Sequence, residues 1–147
     1  MRKSLSLLFF FFLSLSCFAQ SAGDKLLGVY FLEHDGDRSK VRITKNPNNT
    51  YKVQVFWMEN MYDKNGKLRV DQKNPDVTKR NTRADQIVLI KDLTYYKEGV
   101  WKDSKIYDPT RGSFFTVELR FKDAETLAVK GSWGIFSKTI YWKKLKE

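Results

Sequence analysis

The sequence predicts an all-β fold, a single antiparallel up-and-down β-barrel of about eight strands. Three observations lead to this prediction. Apolar residues recur at every second position rather than at a helical spacing, which is the pattern of half-buried strands. All three prolines fall between the alternating segments, where turns are expected. No segment after residue 20 has the periodicity of an amphipathic helix.

The predicted strands are joined by short turns, with one long loop at residues 71–85. The strands are predicted at residues 26–33, 41–44, 51–57, 86–93, 99–107, 115–121, 127–132 and 137–144. Closing the sheet removes its exposed edges, so we expect a barrel of the lipocalin or streptavidin kind. A two-sheet β-sandwich is the alternative. About eight strands leave an interior that side chains fill or that holds one small ligand.

The first nineteen residues have the organisation of a secretory signal peptide. Arg2 and Lys3 precede an apolar run at residues 5–15, and Ala19 supplies the small residue before the expected cleavage site. This run is shorter than the roughly 20 residues of a membrane span. We therefore predict a protein that does not span the membrane, is exported to the periplasm or the extracellular space, and folds as one domain at residues 20–147. A lipid anchor at Cys17 is the alternative.

The predicted mature chain is basic and lacks cysteine. Cys17 is the only cysteine and leaves with the signal peptide, which excludes a disulfide framework and a thiol nucleophile. Removing Arg2 and Lys3 leaves 25 basic and 17 acidic residues, a net charge of +8. Solubility alone explains such a charge, and an anionic partner is the other interpretation. Because an exported protein meets anionic lipids and acidic glycans first, nucleic acid is not predicted as a partner.

Several short motifs together resemble a known family. They are Asp71-Gln72-Lys73-Asn74-Pro75-Asp76, Gly99-Val100-Trp101, Ile106-Tyr107-Asp108-Pro109, and a last strand pair holding Leu127-Ala128-Val129-Lys130-Gly131 and Tyr141-Trp142. The combination resembles the exported bacterial proteins of domain of unknown function 2147, over residues 26–145. The resemblance implies a small calycin-like β-barrel of Gram-negative bacteria with no established activity. The sequence departs from this family after Trp101, where Lys102-Asp103-Ser104 stands in place of an expected second glycine.

No catalytic or metal centre is predicted. His34 is the only histidine, and a Ser-His-Asp centre would have to be built around it. It lies beside a turn, where we expect it to be exposed. A zinc site needs several cysteine or histidine ligands, which this chain does not have. The sequence therefore predicts no metal, no cofactor and no enzyme activity.

A loop and a turn contain a cluster of polar residues with Pro and Gly. The members of this motif are Asp71, Asn74, Pro75, Asp76, Asp108, Pro109 and Gly112. The first interpretation is that the polar side chains cap turns by accepting hydrogen bonds from backbone N–H groups. If the long loop folds over the turn, the three carboxylates converge instead as a calcium-like site or an acid/base pair. Arg111 is expected to pair with one of these carboxylates.

The aromatic side chains are the main functional lead. The predicted ligand-binding residues are Trp57, Trp101, Tyr107, Trp133 and Trp142, at or near strand positions. Core packing is the alternative interpretation, since large aromatic side chains fill small barrels well. Basic residues concentrate between Lys64 and Arg83. They form a positive rim if the loop stays at one end of the barrel, and a solvated loop otherwise.

The sequence favours an exported, non-catalytic barrel that binds a small apolar or anionic amphipathic ligand. An envelope interaction module that recognises a protein, glycan or lipid surface is the alternative, and a carboxylate-based enzyme is the third possibility. The first requires a continuous cavity with a basic mouth. The second requires a filled interior and an exposed patch, and the third requires clustered carboxylates with a raised pKa. No oligomeric state is predicted.

Overall fold

Eight antiparallel strands form a closed barrel in the computed structural model, which describes residues 21–147. Each strand pairs with the next, and β1 pairs with β8. The strands are β1 (Gly28–His34), β2 (Asp37–Lys45), β3 (Tyr51–Met58), β4 (Val88–Lys97), β5 (Val100–Asp108), β6 (Ser113–Phe121), β7 (Thr126–Trp133) and β8 (Phe136–Leu145). The predicted barrel is confirmed, and the pairing of β1 with β8 excludes the sandwich. The predicted signal peptide and the alternative anchor at Cys17 lie outside the described residues.

Short 3-10 helices are the only helical elements within residues 21–147. They span Ala22–Leu26, Val77–Lys79 and Ala84–Gln86. The first strand was predicted to begin at Leu26, but this residue ends the first 3-10 helix and β1 begins at Gly28. No helix in the described part of the chain is long and apolar enough to cross a membrane.

Two of the hairpins turn through left-handed backbone. The β1–β2 turn has a positive φ at Asp35 (49°) and Gly36 (81°), and the β4–β5 turn has one at Glu98 (52°) and Gly99 (73°). A positive φ at both central residues is the mark of a type I′ turn, whose twist matches that of the flanking strands. The glycine in each pair adopts this conformation without a Cβ clash. These turns join neighbouring strands directly.

The N-terminal 3-10 helix plugs one end of the barrel. The indole Nε1 of Trp101 donates to the Gly23 carbonyl oxygen (3.1 Å), and the Tyr30 hydroxyl donates to the Leu26 carbonyl oxygen (2.8 Å). The Asp24 carboxylate accepts from the Tyr51 hydroxyl (2.7 Å) and pairs with the Lys45 ammonium (2.8 Å). The Lys45 and Tyr51 hydrogen bonds lower the pKa of Asp24 to about 2. This end of the barrel is therefore closed.

The seam between β1 and β8 is short and lies at the closed end. Residues 29–31 of β1 pair with residues 143–145 of β8. From Phe136 to Trp142, β8 pairs with β7 alone. At the other end of the barrel, the tip of the β7–β8 hairpin is therefore not held by a second neighbouring strand.

Candidate functional site

A cavity of about 680 Å³ opens at the end of the barrel opposite the plug. Its wall consists largely of apolar side chains that strands present to the interior. Examples are Leu32, Val55, Leu89, Ile106, Val129 and Ile140. Such a size and lining are typical of small-molecule sites, which measure roughly 300–1,000 Å³. The interior is therefore hollow at the open end of the barrel and packed at the closed end.

Gly131 leaves room in this wall. It lies on β7 between the inward-facing Val129 and Trp133, and it also lines the cavity. A Cβ placed on Gly131 would lie 3.6 Å from the Phe115 Cβ and 4.0 Å from the Ile106 Cγ2, which are ordinary packing distances. A glycine inside a strand often marks the close approach of a ligand. The missing side chain at this position enlarges the cavity.

Three of the five predicted ligand-binding residues border the cavity. They are Tyr107, Trp133 and Trp142. Trp142 is 1% exposed, and its buried indole N–H has no acceptor among residues 21–147. Trp133 lies at the open end and is 71% exposed. Tyr107 is buried, and its hydroxyl faces the long β3–β4 loop rather than open space.

Trp57 does not reach the cavity because β3 contains a bulge. Lys40 pairs with Trp57 while Val41 pairs with Val55, so Phe56 is an extra residue that reverses the alternation. Trp57 consequently faces outward, where the Lys40 ammonium lies 5.0 Å from its ring centre. Met58 lines the cavity in its place.

Trp101 does not reach the cavity because it lies at the closed end. Its ring packs against Tyr95 and Phe121, with centroid distances of 5.3 and 5.8 Å, and its indole is bound to the plug. Alternation indicates that a residue faces inward, but it does not indicate at what depth. Another irregularity in the strand pairing follows Trp101, where Asp103 has a φ of 60°. It falls within Lys102-Asp103-Ser104, the segment that stands in place of the expected family glycine.

The long β3–β4 loop, residues 59–87, is docked on the barrel by a buried polar cluster. The Tyr107 hydroxyl donates to Asp71 Oδ1 (2.7 Å), and Asn74 Nδ2 donates to Asp71 Oδ2 (2.7 Å). Asp71 is 3% exposed, so both carboxylate oxygens are bound within the protein. Burial, followed by the Asp71 hydrogen bond, raises the pKa of Tyr107. The hydroxyl therefore remains a donor, and the cluster has a structural role.

A second contact fixes the loop to the β5–β6 turn. The Lys73 ammonium donates to the Thr110 carbonyl oxygen (2.7 Å). The Lys73 carbonyl oxygen lies so close to Gly112 that a Cβ there would overlap it. Gly112 also has a φ of 64°, a conformation that other residues rarely adopt. Gly112 is thus required both for the turn and for the approach of the loop.

The other two carboxylates of the motif cap turns. Asp76 Oδ1 accepts from the Thr78 backbone N–H (3.0 Å), and Asp108 Oδ1 accepts from the Thr110 backbone N–H (2.9 Å). The Thr78 hydrogen bonds lower the pKa of Asp76. Burial tends to raise the pKa of Asp108, but hydrogen bonds from Thr110 and Arg111 lower it overall. A general acid would need the opposite shift. Within residues 21–147, the group of ligand atoms close enough together to hold a metal ion is His34, Asp35 and Asp108, which includes neither Asp71 nor Asp76.

An ion-pair network connects the β1–β2 turn with the β5–β6 turn. Arg111 pairs with Asp108, as expected, and also with Asp35 (3.1 Å). His34 Nε2 lies 3.2 Å from Asp35 Oδ2 and 3.6 Å from Asp108 Oδ2. His34 was expected to be exposed, but its side chain is only 24% exposed because the two turns meet there. The Arg111 guanidinium contacts both carboxylates and supplies one positive charge between them, so the arrangement is one of ion pairing.

Positive charge predominates at the mouth of the cavity. The lining holds three carboxylates and five cationic side chains, which are Lys67, Arg69, Lys73, Arg111 and Lys138. Arg69 is paired with Asp37 through two hydrogen bonds of 2.9 and 2.6 Å. The three lysines have no carboxylate partner among residues 21–147. The predicted basic loop therefore contributes Lys67, Arg69 and Lys73 to this mouth, and β8 adds Lys138, which the sequence analysis missed.

Comparison with known proteins agrees with this architecture. Protein HP1028 from the human pathogen Helicobacter pylori, described as belonging to the lipocalin family, has a similar structure with a TM-score of 0.65. The two sequences are 25% identical, and the similarity covers 83% of this chain and 84% of the other. No curated protein matches this chain. The family model for uncharacterized proteins conserved in bacteria, DUF2147, matches residues 28–144. The chain, a lipocalin-like barrel, therefore belongs to the DUF2147 family.

Proposed function

We propose that this protein binds a small amphipathic ligand, with an apolar body and an anionic head group, and that it performs no catalysis. The observation that carries the proposal is the open apolar cavity beneath a mouth with an excess of positive charge. Lipocalin-like architecture, shared with HP1028, is compatible with such a role. The hollow interior favours ligand binding over the envelope interaction module, for which a filled interior was expected.

The cavity wall supports an apolar ligand body. Burying apolar surface stabilises a complex by roughly 25 cal/mol per Å². The wall residues Leu32, Leu89 and Ile106 come from three different strands, so a ligand chain would be surrounded rather than laid on one face. Gly131 provides the width for it.

The mouth supports an anionic head group. Lys67 and Lys138 border the opening and form no salt bridge with the described acidic residues. A carboxylate, sulfate or phosphate at the opening would pair with them while remaining partly in water. Such a partly exposed pair contributes up to about 1 kcal/mol. Charge therefore selects the orientation of the ligand, and apolar burial contributes most of the affinity.

The place of action that we propose is outside the cytoplasm, in the periplasm or the extracellular space. The organisation of residues 1–19 as a signal peptide supports this proposal. Small amphiphiles with anionic head groups are common in the bacterial envelope. The proposed ligand class and the proposed location are therefore consistent with each other.

Calorimetric titration with dodecanoate and dodecanol tests the ligand class. The two probes share a chain and differ in head group, so dodecanol is the matched control. We expect saturable binding of one dodecanoate per protein, about fivefold tighter than dodecanol at low salt, because an exposed ion pair is worth up to about 1 kcal/mol. The difference should shrink in high salt. Equal affinities would contradict the anionic preference, and no binding of either probe would contradict the proposed function.

A further inference from the structure

The tip of the β7–β8 hairpin, residues 133–136, exposes three large apolar side chains. Trp133, Ile135 and Phe136 are 71%, 94% and 69% exposed. Hairpin turns normally carry polar residues and glycine, and here only Gly134 follows that rule. We infer that this tip docks the mouth of the barrel on a lipid surface that carries anionic head groups.

The architecture keeps the tip free. Gly134 has a φ of 58°, which allows the chain to reverse between Trp133 and Phe136, and these two residues pair with each other. Because β8 pairs with β1 only at residues 143–145, β1 does not cover the tip from the side. An exposed apolar group of this kind on a folded protein commonly marks an interaction site.

The charge of the same end identifies the partner. Lys67, Lys73 and Lys138 line the mouth from which the tip projects, and none has a carboxylate partner among the described residues. Positively charged side chains near an anionic membrane gain about 1 kcal/mol each. Tryptophan and phenylalanine insert at the boundary between head groups and acyl chains. An anionic bilayer accounts for both the exposed apolar side chains of the tip and the lysines of the mouth, since it has an apolar interior beneath negatively charged head groups.

Docking in this orientation has a consequence for the cavity. The mouth of the cavity would face the bilayer directly. An amphiphile could then pass between the bilayer and the cavity without crossing bulk water. The docking surface itself does not depend on the proposed ligand. Ile135 does not line the cavity, so docking and ligand binding can be separated by substitution.

Co-sedimentation with lipid vesicles tests the inference. The vesicles are made of phosphatidylcholine, with or without phosphatidylglycerol. We expect the wild-type protein to sediment with the anionic vesicles, weakly with the neutral ones, and less at high salt. Ile135→Asp should reduce the partition coefficient at least about tenfold, because it replaces a side chain buried in lipid by a charge. Ile135→Ser should give a smaller loss in the same direction.

Tyr96 provides the matched control at the closed end of the barrel. It is an exposed aromatic residue (52%) beside Lys97 and Lys102, so Tyr96→Ser removes a similar group far from the mouth. This variant should bind vesicles as the wild type does.

Absence of wild-type binding to anionic vesicles would overturn the inference and leave a protein surface as the partner of the tip. An equal loss in Tyr96→Ser would overturn it as well. Dodecanoate titration of Ile135→Ser, which leaves the charge of the mouth unchanged, should remain normal, which separates this result from failure of the proposed function.

Discussion

Gly131→Phe is expected to abolish dodecanoate binding while the barrel remains folded. The strand at Gly131 has no left-handed φ, and a Cβ there makes only ordinary contacts with Phe115 and Ile106. The phenyl ring would therefore enter the cavity without displacing the backbone. Because glycine inside a strand costs roughly 0.5–1 kcal/mol, the variant should be at least as stable as the wild type. Calorimetric titration and thermal unfolding measure the two effects.

Ser132→Phe is the control for this variant. Ser132 neighbours Gly131 on β7, and successive strand residues point to opposite faces, so the added ring lies outside the barrel. Dodecanoate affinity should be unchanged. If Gly131→Phe binds as tightly as the wild type, the ligand does not occupy the cavity. If Gly131→Phe does not fold, Gly131→Leu places a smaller side chain at the same point.

Gly112→Ala, in the β5–β6 turn, is expected to cost about 3 kcal/mol in the free energy of unfolding. A left-handed residue with a Cβ costs roughly 1–2 kcal/mol. The Cβ would also overlap the Lys73 carbonyl oxygen, so the loop must move away from the β5–β6 turn. This displacement would weaken the Asp71–Tyr107 hydrogen bond. Chemical denaturation measures the loss, and limited proteolysis within residues 59–87 detects a released loop.

Gly99→Ala separates backbone strain from loop docking. Gly99 has a similar φ of 73°, and a Cβ there would meet nothing within 4 Å. This variant should lose only about 1 kcal/mol and should leave the loop as resistant to proteolysis as in the wild type. Equal losses of unfolding free energy in the two variants would show that the close approach of the Lys73 carbonyl oxygen to Gly112 does not add to the cost of the substitution.

The strands could be predicted because their signal is local. Alternating apolar positions such as Val53 and Val55 follow directly from the geometry of a strand that is buried on one face. The bulge at Phe56 could not be predicted, because it depends on how Lys40 and Val41 pair across to β3. A single extra residue was enough to turn Trp57 outward.

The depth of a residue in the barrel also depends on contacts that are distant in sequence. Trp101 and Trp142 both face inward, but only Trp142 borders the cavity. The Trp101 indole instead donates a hydrogen bond to the carbonyl oxygen of Gly23 in the N-terminal 3-10 helix, 78 residues away. No pattern near Trp101 indicates that partner.

The sequence indicated that the carboxylates of the polar motif cap turns, but it did not indicate their partners that are distant in sequence. Asp76 and Asp108 cap turns through residues two positions ahead, which is a local relation. The partner of Asp71, Tyr107, is 36 residues away, and the contact between His34 and Asp108 joins two separate turns. The residue types of the motif suggested turn capping. The docking of the β3–β4 loop through Asp71 and the ion pairing between the β1–β2 and β5–β6 turns depend on the tertiary fold.

Native mass spectrometry tests the central claim, that the cavity holds a small amphiphile, most directly. The wild-type protein and Gly131→Phe would be purified without detergent or added lipid from the bacterium that makes the protein. We predict that the wild-type spectrum shows a bound small molecule that is released on denaturation and carries an acidic group, and that Gly131→Phe shows the polypeptide alone. Identical spectra of bare polypeptide for both proteins would contradict the claim.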